Sequence, residues 1–145
     1  MRARLRFFLP ILAILFLAAC GNRGTISYRG TCSQQTQQFM DYIHSFVVEK
    51  LNPVIQDGVR SDSYDVMNNM ETLDARASEI NIPACNAAKA DAVKEALRQY
   101  MLETKNYFST IAGRDVYGEG PVQGQLSKMN EAGFALEAAL EDLQK

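Results

Sequence analysis

Ser61-Asp62-Ser63-Tyr64-Asp65-Val66-Met67-Asn68-Asn69-Met70-Glu71-Thr72-Leu73-Asp74-Ala75-Arg76-Ala77-Ser78-Glu79-Ile80 is the stretch whose periodicity decides the fold. Val66, Met70, Leu73, Ala77 and Ile80 return every three or four positions, which places them in one stripe along a 3.6-residue helix. Ser61, Asp62 and Ser63 offer N-caps, and acids in the first turn suit the positive end of the helix dipole. Ile82-Pro83 stops the helix, because the residue before a proline avoids the helical region.

The same spacing extends in both directions. Upstream, Thr31-Cys32-Ser33-Gln34 has the form of a capping box and opens a first helix. Cys32, Phe39, Ile43, Phe46, Val47, Leu51, Val54 and Ile55 form its apolar stripe. Pro53 removes a hydrogen bond and is expected to kink this helix near Asn52, and Gly58 ends it. Downstream, a third helix starts near Ala84 to Asn86 and carries Val93, Leu97, Tyr100, Thr104, Tyr107, Phe108 and Ile111 as far as Gly113. The glycine-rich stretch 113–124 reads as the one long loop. A fourth helix follows, with Val122, Leu126, Met129, Gly133, Leu136, Leu140 and Leu143 in register. No segment alternates as a strand would. The expected fold is all-α, an up-down-up-down four-helix bundle over residues 32–145.

In that topology the first and third helices run parallel, so Cys32 and Cys85 meet at one end of the bundle. A disulfide needs Cα atoms within about 7 Å, and this arrangement supplies it. It would close a loop between residues 53 positions apart. Metal binding is the weaker alternative, since zinc takes three or four protein ligands and the chain holds one histidine, His44.

Further upstream the character changes. Arg2, Arg4 and Arg6 precede an apolar run over residues 7–19 that is interrupted only by Pro10. That is a basic region followed by an apolar segment of signal-peptide length, too short for the roughly 20 residues of a membrane-spanning helix. The run ends in Leu17-Ala18-Ala19-Cys20-Gly21, which resembles the lipobox of bacterial lipoproteins at every position. The resemblance implies that residues 1–19 are removed as a signal peptide. It implies that Cys20 carries a thioether-linked diacylglycerol and an N-acyl chain, the covalent lipid being the only prosthetic group expected. It further implies a location outside the cytoplasm. Gly21, a residue other than Asp, directs lipoproteins of diderm bacteria to the outer membrane; in other hosts the outer face of the cell membrane is expected. Residues 20–31 then form a lipidated cysteine and a flexible tether, with three glycines and no apolar period. Its 11 residues after the cysteine reach at most about 36 Å. A looser resemblance covers residues 80–108: Ile82-Pro83-Ala84-Cys85, followed by an alanine-rich helix ending in Tyr107-Phe108, is similar to an element of small exported helical bacterial proteins of no established activity.

Loss of the leader leaves 12 basic against 17 acidic residues, a net charge of −5 with His44 neutral. Mild acidity argues against nucleic acid or an anionic lipid surface as the main partner. Catalytic patterns are missing. There is no Gly-x-Ser-x-Gly, no phosphate-binding glycine fingerprint and no Cys-x-x-Cys-His for haem. Asp41 and His44 have the spacing of a carboxylate-bridged di-iron helix but lack the second histidine, and His44 lies beside the apolar stripe. His44 and Met129 sit about two helical turns apart in height, too far to share a haem. Asp57, Asp62 and Asp65 lack the spacing of a calcium loop and suit helix capping. Gly133 marks either a close helix approach or a small pocket.

The function expected from the residues is therefore non-enzymatic, without metal or cofactor. The chain reads as a lipid-anchored scaffold or protein-binding module, with Arg114, Asp115 and Tyr117 of the 113–124 loop as the candidate partner contact. The alternative is a bundle holding a small apolar molecule or haem.

Overall fold

A computed structural model describes residues 26–60, 63–113 and 118–145. Cys20 and the leader lie outside the described residues, as do Arg114, Asp115 and Tyr117. The described part is all-helical, with four helical segments packed against each other. In chain order the elements are α1 (Cys32–Phe46), a π-helical turn (Val47–Leu51), α2 (Asn52–Arg60), α3 (Ser63–Ser78), α4 (Ala87–Ala112) and α5 (Glu119–Gln144).

α1, the π turn and α2 are one continuous helical segment, where the sequence suggested a kink. Pro53 has no N–H to give and its ring crowds the turn before it. The backbone answers by widening that turn, so that the Asn52 N–H donates to Val47 O, five residues back. The capping box at the start of α1 forms as its sequence suggests. The Gln34 N–H donates to Thr31 Oγ1 at 3.4 Å, and the Thr31 N–H donates to Gln34 Oε1 at 2.9 Å.

The stripe that opened the reading is buried throughout: Val66, Met70, Leu73 and Ala77 form the inward face of α3, and Ile80 follows just past its end. They join Phe39, Ile43, Phe46 and Leu51 from the first helical segment, and Val93, Leu97, Met101 and Phe108 from α4. Leu136 and Leu143 of α5 complete the cluster. Each such side chain contributes roughly 1.5–3 kcal/mol when fully buried. Thr104, also within this core, spends its hydroxyl on Tyr100 O at 2.8 Å, so no polar atom is stranded.

Polar contacts fix how the helices run. Along α3 and α4, Glu71 pairs with Lys105, Asp74 with Arg98, and Ser78 O with Lys94 Nζ. Partners on one helix descend as those on the other rise, so the pair is antiparallel. α4 and α5 are antiparallel too: Lys89 Nζ reaches Asp142 O at 2.8 Å, while Gln125 donates to the Glu103 carboxylate. Lys94 Nζ also takes Ile80 O at 3.0 Å and so closes the carbonyl end of α3.

Two expectations need correction. The stretch 113–124 is not one loop, because α5 begins at Glu119. Pro121 falls in the first turn, where its missing N–H has no intrahelical partner to lose. The buried Val122 anchors that turn, and packing overrides two glycines of poor helix propensity. Gly118 precedes the helix with φ +81°, a conformation that suits glycine. The second correction concerns the 20–31 stretch. Its described part, residues 26–31, is held against the helices. Tyr28 stacks edge-on against Phe39 at 6.0 Å and its hydroxyl donates to Asn81 O at 2.9 Å. The Asn81 side chain returns a bond to Ile26 O at 3.0 Å, and the Gln38 amide pairs with both backbone groups of Arg29. Tyrosine and isoleucine among the small polar residues were the signal; their spacing is too short to show a period.

Candidate functional site

Cys32 and Cys85 are joined, with Cα atoms 5.4 Å apart. Cys32 is the first residue of α1, and Cys85 immediately precedes Asn86, the N-cap of α4. Around the bridge lie Tyr28, Asn81 and the fully buried Pro83. Asn86 sits in the left-handed region at φ +57°, and its side chain donates to Thr36 Oγ1 on α1 at 3.3 Å rather than capping its own helix. Burial, with a smaller contribution from neighbouring Tyr42, pushes the Tyr28 phenol up to about 12.

Gly58 lies at the other end of the α3–α4 pair. It is buried in the last turn of α2, which runs two residues past it to Arg60 instead of ending there, and a Cβ at this position would run into Val66 and the Phe108 ring. Two large apolar side chains close to this turn point outward: Val59 is 76% exposed and Tyr64 is 62% exposed. Asp57 and Asp65 are exposed beside them. The end of α4 and the start of α5 come to the same place, since Phe108 meets Gly58 and Gln125 meets Glu103. Sequence reasoning named Gly58 as a helix end and singled out neither Val59 nor Tyr64. A valine and a tyrosine beside a helix end look like core residues until packing turns them out.

A groove of about 330 Å³ runs between α3 and α4. Met70, Met101 and Leu102 line it, together with the ion pairs of Arg98 with Asp74 and Lys105 with Glu71. The hydrogen bond that Arg98 donates to Asp74, and then the charge of Asp74, raise Arg98 above its ordinary value and keep that cation engaged. Both cations of the groove are thus matched by carboxylates, and no histidine or cysteine lines it. His44 stands exposed on α1, away from this groove, and Met129 is half-buried on α5. Gly133 of α5 sits under the Tyr100 ring, 3.5 Å from the place of a Cβ, in ordinary contact. Among the described residues no cluster of three metal-ligating side chains occurs, and no helix is long and apolar enough to cross a membrane.

Comparison of the chain with protein-family models, with characterised proteins and with solved structures finds no match to any of them.

Proposed function

We propose that the chain is a bacterial lipoprotein, anchored through lipid on Cys20 outside the cytoplasm, whose up-down-up-down bundle works by contact as a non-enzymatic envelope scaffold or protein-binding module. The lipobox spacing supports the anchor, and the antiparallel α3–α4 and α4–α5 pairs support the topology. With residues 26–31 held on the helices, five residues (21–25) join Cys20 to the folded part, a reach of at most about 16 Å. The end with the disulfide then lies next to the bilayer, and the Gly58 end faces away from it.

The observation that carries the contact reading is the outward pair Val59 and Tyr64 at that far end. Tyrosine in an interface core contributes more than most residues, and exposed apolar side chains gathered at one turn mark a surface meant for covering. Arg114, Asp115 and Tyr117 remain part of the proposal as neighbours in the chain between α4 and α5.

A photo-reactive phenylalanine analogue placed at Val59 or Tyr64 should give a defined crosslinked species in living cells, and the same analogue at Lys128 should not. Equal crosslinking from all three positions would refute a contact surface. Labelled palmitate tests the anchor separately: Cys20→Ser should abolish its incorporation, and incorporation into that variant would remove the lipoprotein reading.

A further inference from the structure

The two halves of the disulfide sit at unusual places for a purely structural staple. Both cysteines lie at helix N-termini, Cys32 as the first residue of α1 and Cys85 directly before the cap of the 26-residue α4. Neither helix has an acid in its first turn to offset the positive end of the dipole. At α4 the cap is moreover missing, because the Asn86 side chain is spent on Thr36. The first-turn amides of α4, which begins two residues after Cys85, therefore have no side-chain acceptor from the cap position. A thiolate is such an acceptor, and cysteines at helix N-termini lose their protons well below the ordinary value of about 8.5. Finally, Cys32 is exposed and Cys85 half-buried, so an attacking group reaches Cys32 first.

We propose that Cys32–Cys85 is an exchangeable disulfide, a site for thiol reductants that attack Cys32 and expel Cys85. In the first step a thiolate, RS⁻, forms a bond to Cys32 Sγ as the bond between the two cysteines breaks, and the electron pair leaves on Cys85 Sγ. A second RS⁻ attacks the sulfur of R in this mixed disulfide, releasing RSSR and the Cys32 thiolate. Two thiols are oxidised and one disulfide is reduced. A low-pKa thiol is the better leaving group, so the α4 terminus that stabilises the Cys85 thiolate also speeds the opening.

The reduced pair stays in place. The segments that the bridge joins are also tied by Tyr28 to Asn81, Asn81 to Ile26 and Asn86 to Thr36, with Phe39 buried beneath them. Opening is therefore reversible without unfolding, as a redox-responsive site requires. Nothing in this inference depends on lipid at Cys20.

The experiment uses the full-length chain, exported and purified under non-reducing conditions in a mild detergent. It is exposed to dithiothreitol at neutral pH without denaturant, then quenched in acid and alkylated, with labelling read peptide by peptide. Cys32 and Cys85 should label together while the helical circular-dichroism signal persists, and removal of the reductant should restore the bridge. A bridge that opens only in denaturant, or that opens with loss of the helical signal, would overturn the proposal. Two variants test its cause. In a chain carrying both Cys20→Ser and Cys32→Ala, where Cys85 is the one thiol left, its thiolate absorbance should titrate below about 8.5, and a midpoint at or above that value counts against it. Ala88→Asp puts an acid into the first turn of α4. It should slow opening by about two- to fivefold while leaving the thermal midpoint equal or higher, because the same charge favours the helix and disfavours the thiolate. An unchanged rate would show that the helix terminus plays no part.

Discussion

At the end that carries Cys32 and Cys85, the chain is tied by directional bonds: a disulfide, the Tyr28–Asn81–Ile26 hydrogen bonds, the Gln38 amide on Arg29, Asn86 on Thr36, and Lys94 closing α3. At the end that carries Gly58, the described contacts that stand out are close apolar fits. A glycine fits under Val66 and Phe108, and Val122 pins a helix start that holds Gly120, Pro121 and Gly124. The first end joins α1, α4, the segment after α3 and residues 26–31 through these ties. The second leaves Val59 and Tyr64 in solvent. Specific polar ties suit an end whose orientation must be set, as the anchor we propose would demand. Exposed apolar side chains at a turn suit an end that meets another molecule, as we propose.

The largest effect expected from this contrast is loss of the bridge. Cys32→Ser with Cys85→Ser frees a loop of 53 residues, and loop-closure entropy puts the cost near 4 kcal/mol at most. Denaturant unfolding of the double variant should show a clear loss of stability with the native fold retained. A midpoint equal to that of the parent chain would mean that the hydrogen bonds alone hold this end, and that the covalent tie adds nothing to the contrast.

Gly58→Ala probes the shape-held end. The added Cβ meets the Val66 methyl and the Phe108 ring, neither of which can retreat from a packed core, so a loss of about 1–3 kcal/mol is expected. If the variant is as stable as the parent, the turn has room to spare and shape is not what holds it.

How much of this was legible in the residues follows from what each end uses. Stripes such as Val66 to Ile80 are periodic and were readable, as was the capping box, which is a local pattern. Cys32 and Cys85 were paired on the expected topology, and their Cα atoms stand 5.4 Å apart. The Tyr28 strap was not readable, because its partner Asn81 lies 53 residues away and no repeat connects them. The start of α5 was misread because Gly120, Pro121 and Gly124 all signal a loop locally, while the burial of Val122 that overrides them is tertiary. Val59 and Tyr64 were missed for the same reason in reverse: an apolar residue turned outward has the same sequence as one turned in.

Tyr28→Phe sharpens the comparison from the tied end. It keeps the ring against Phe39 and removes the bond to Asn81 O, which should cost about 0.5–1.5 kcal/mol. There is also a pH signature. The folded-state value of Tyr28 is about 12 against an ordinary 10.0, so the folded chain holds this proton more tightly than the unfolded one. Stability from Tyr28 is then fully present below pH 10 and is lost as pH rises towards 12. Tyr100, raised by burial, slopes the same way. Alkaline unfolding of the parent should steepen across that window, and Tyr28→Phe should flatten part of the slope. An identical slope in the variant would show that the strap does not hold its phenol in the folded state.

The smallest effect is a gain, and it tests whether the far end is loose by composition. Gly120 and Gly124 lie in the first turns of α5 with nothing within 4 Å of where a Cβ would be. Glycine inside a helix costs up to about 1 kcal/mol relative to alanine, mostly through the freedom it has in the unfolded chain. Gly124→Ala, well inside the helix, should therefore stabilise by about 0.5–1 kcal/mol, and Gly120→Ala by less because it sits nearer the terminus. Hydrogen exchange locates the effect: amides of α5 after the first turn should become more protected in Gly124→Ala, while those of α1 and of the Asn81 region should not change. That pattern would show that glycine content, rather than strain at Gly118 or the fit of Gly58, sets the local stability of the far end. Loss of stability in Gly124→Ala would mean the helix start is not regular there, and the account of α5 beginning at Glu119 would have to be withdrawn.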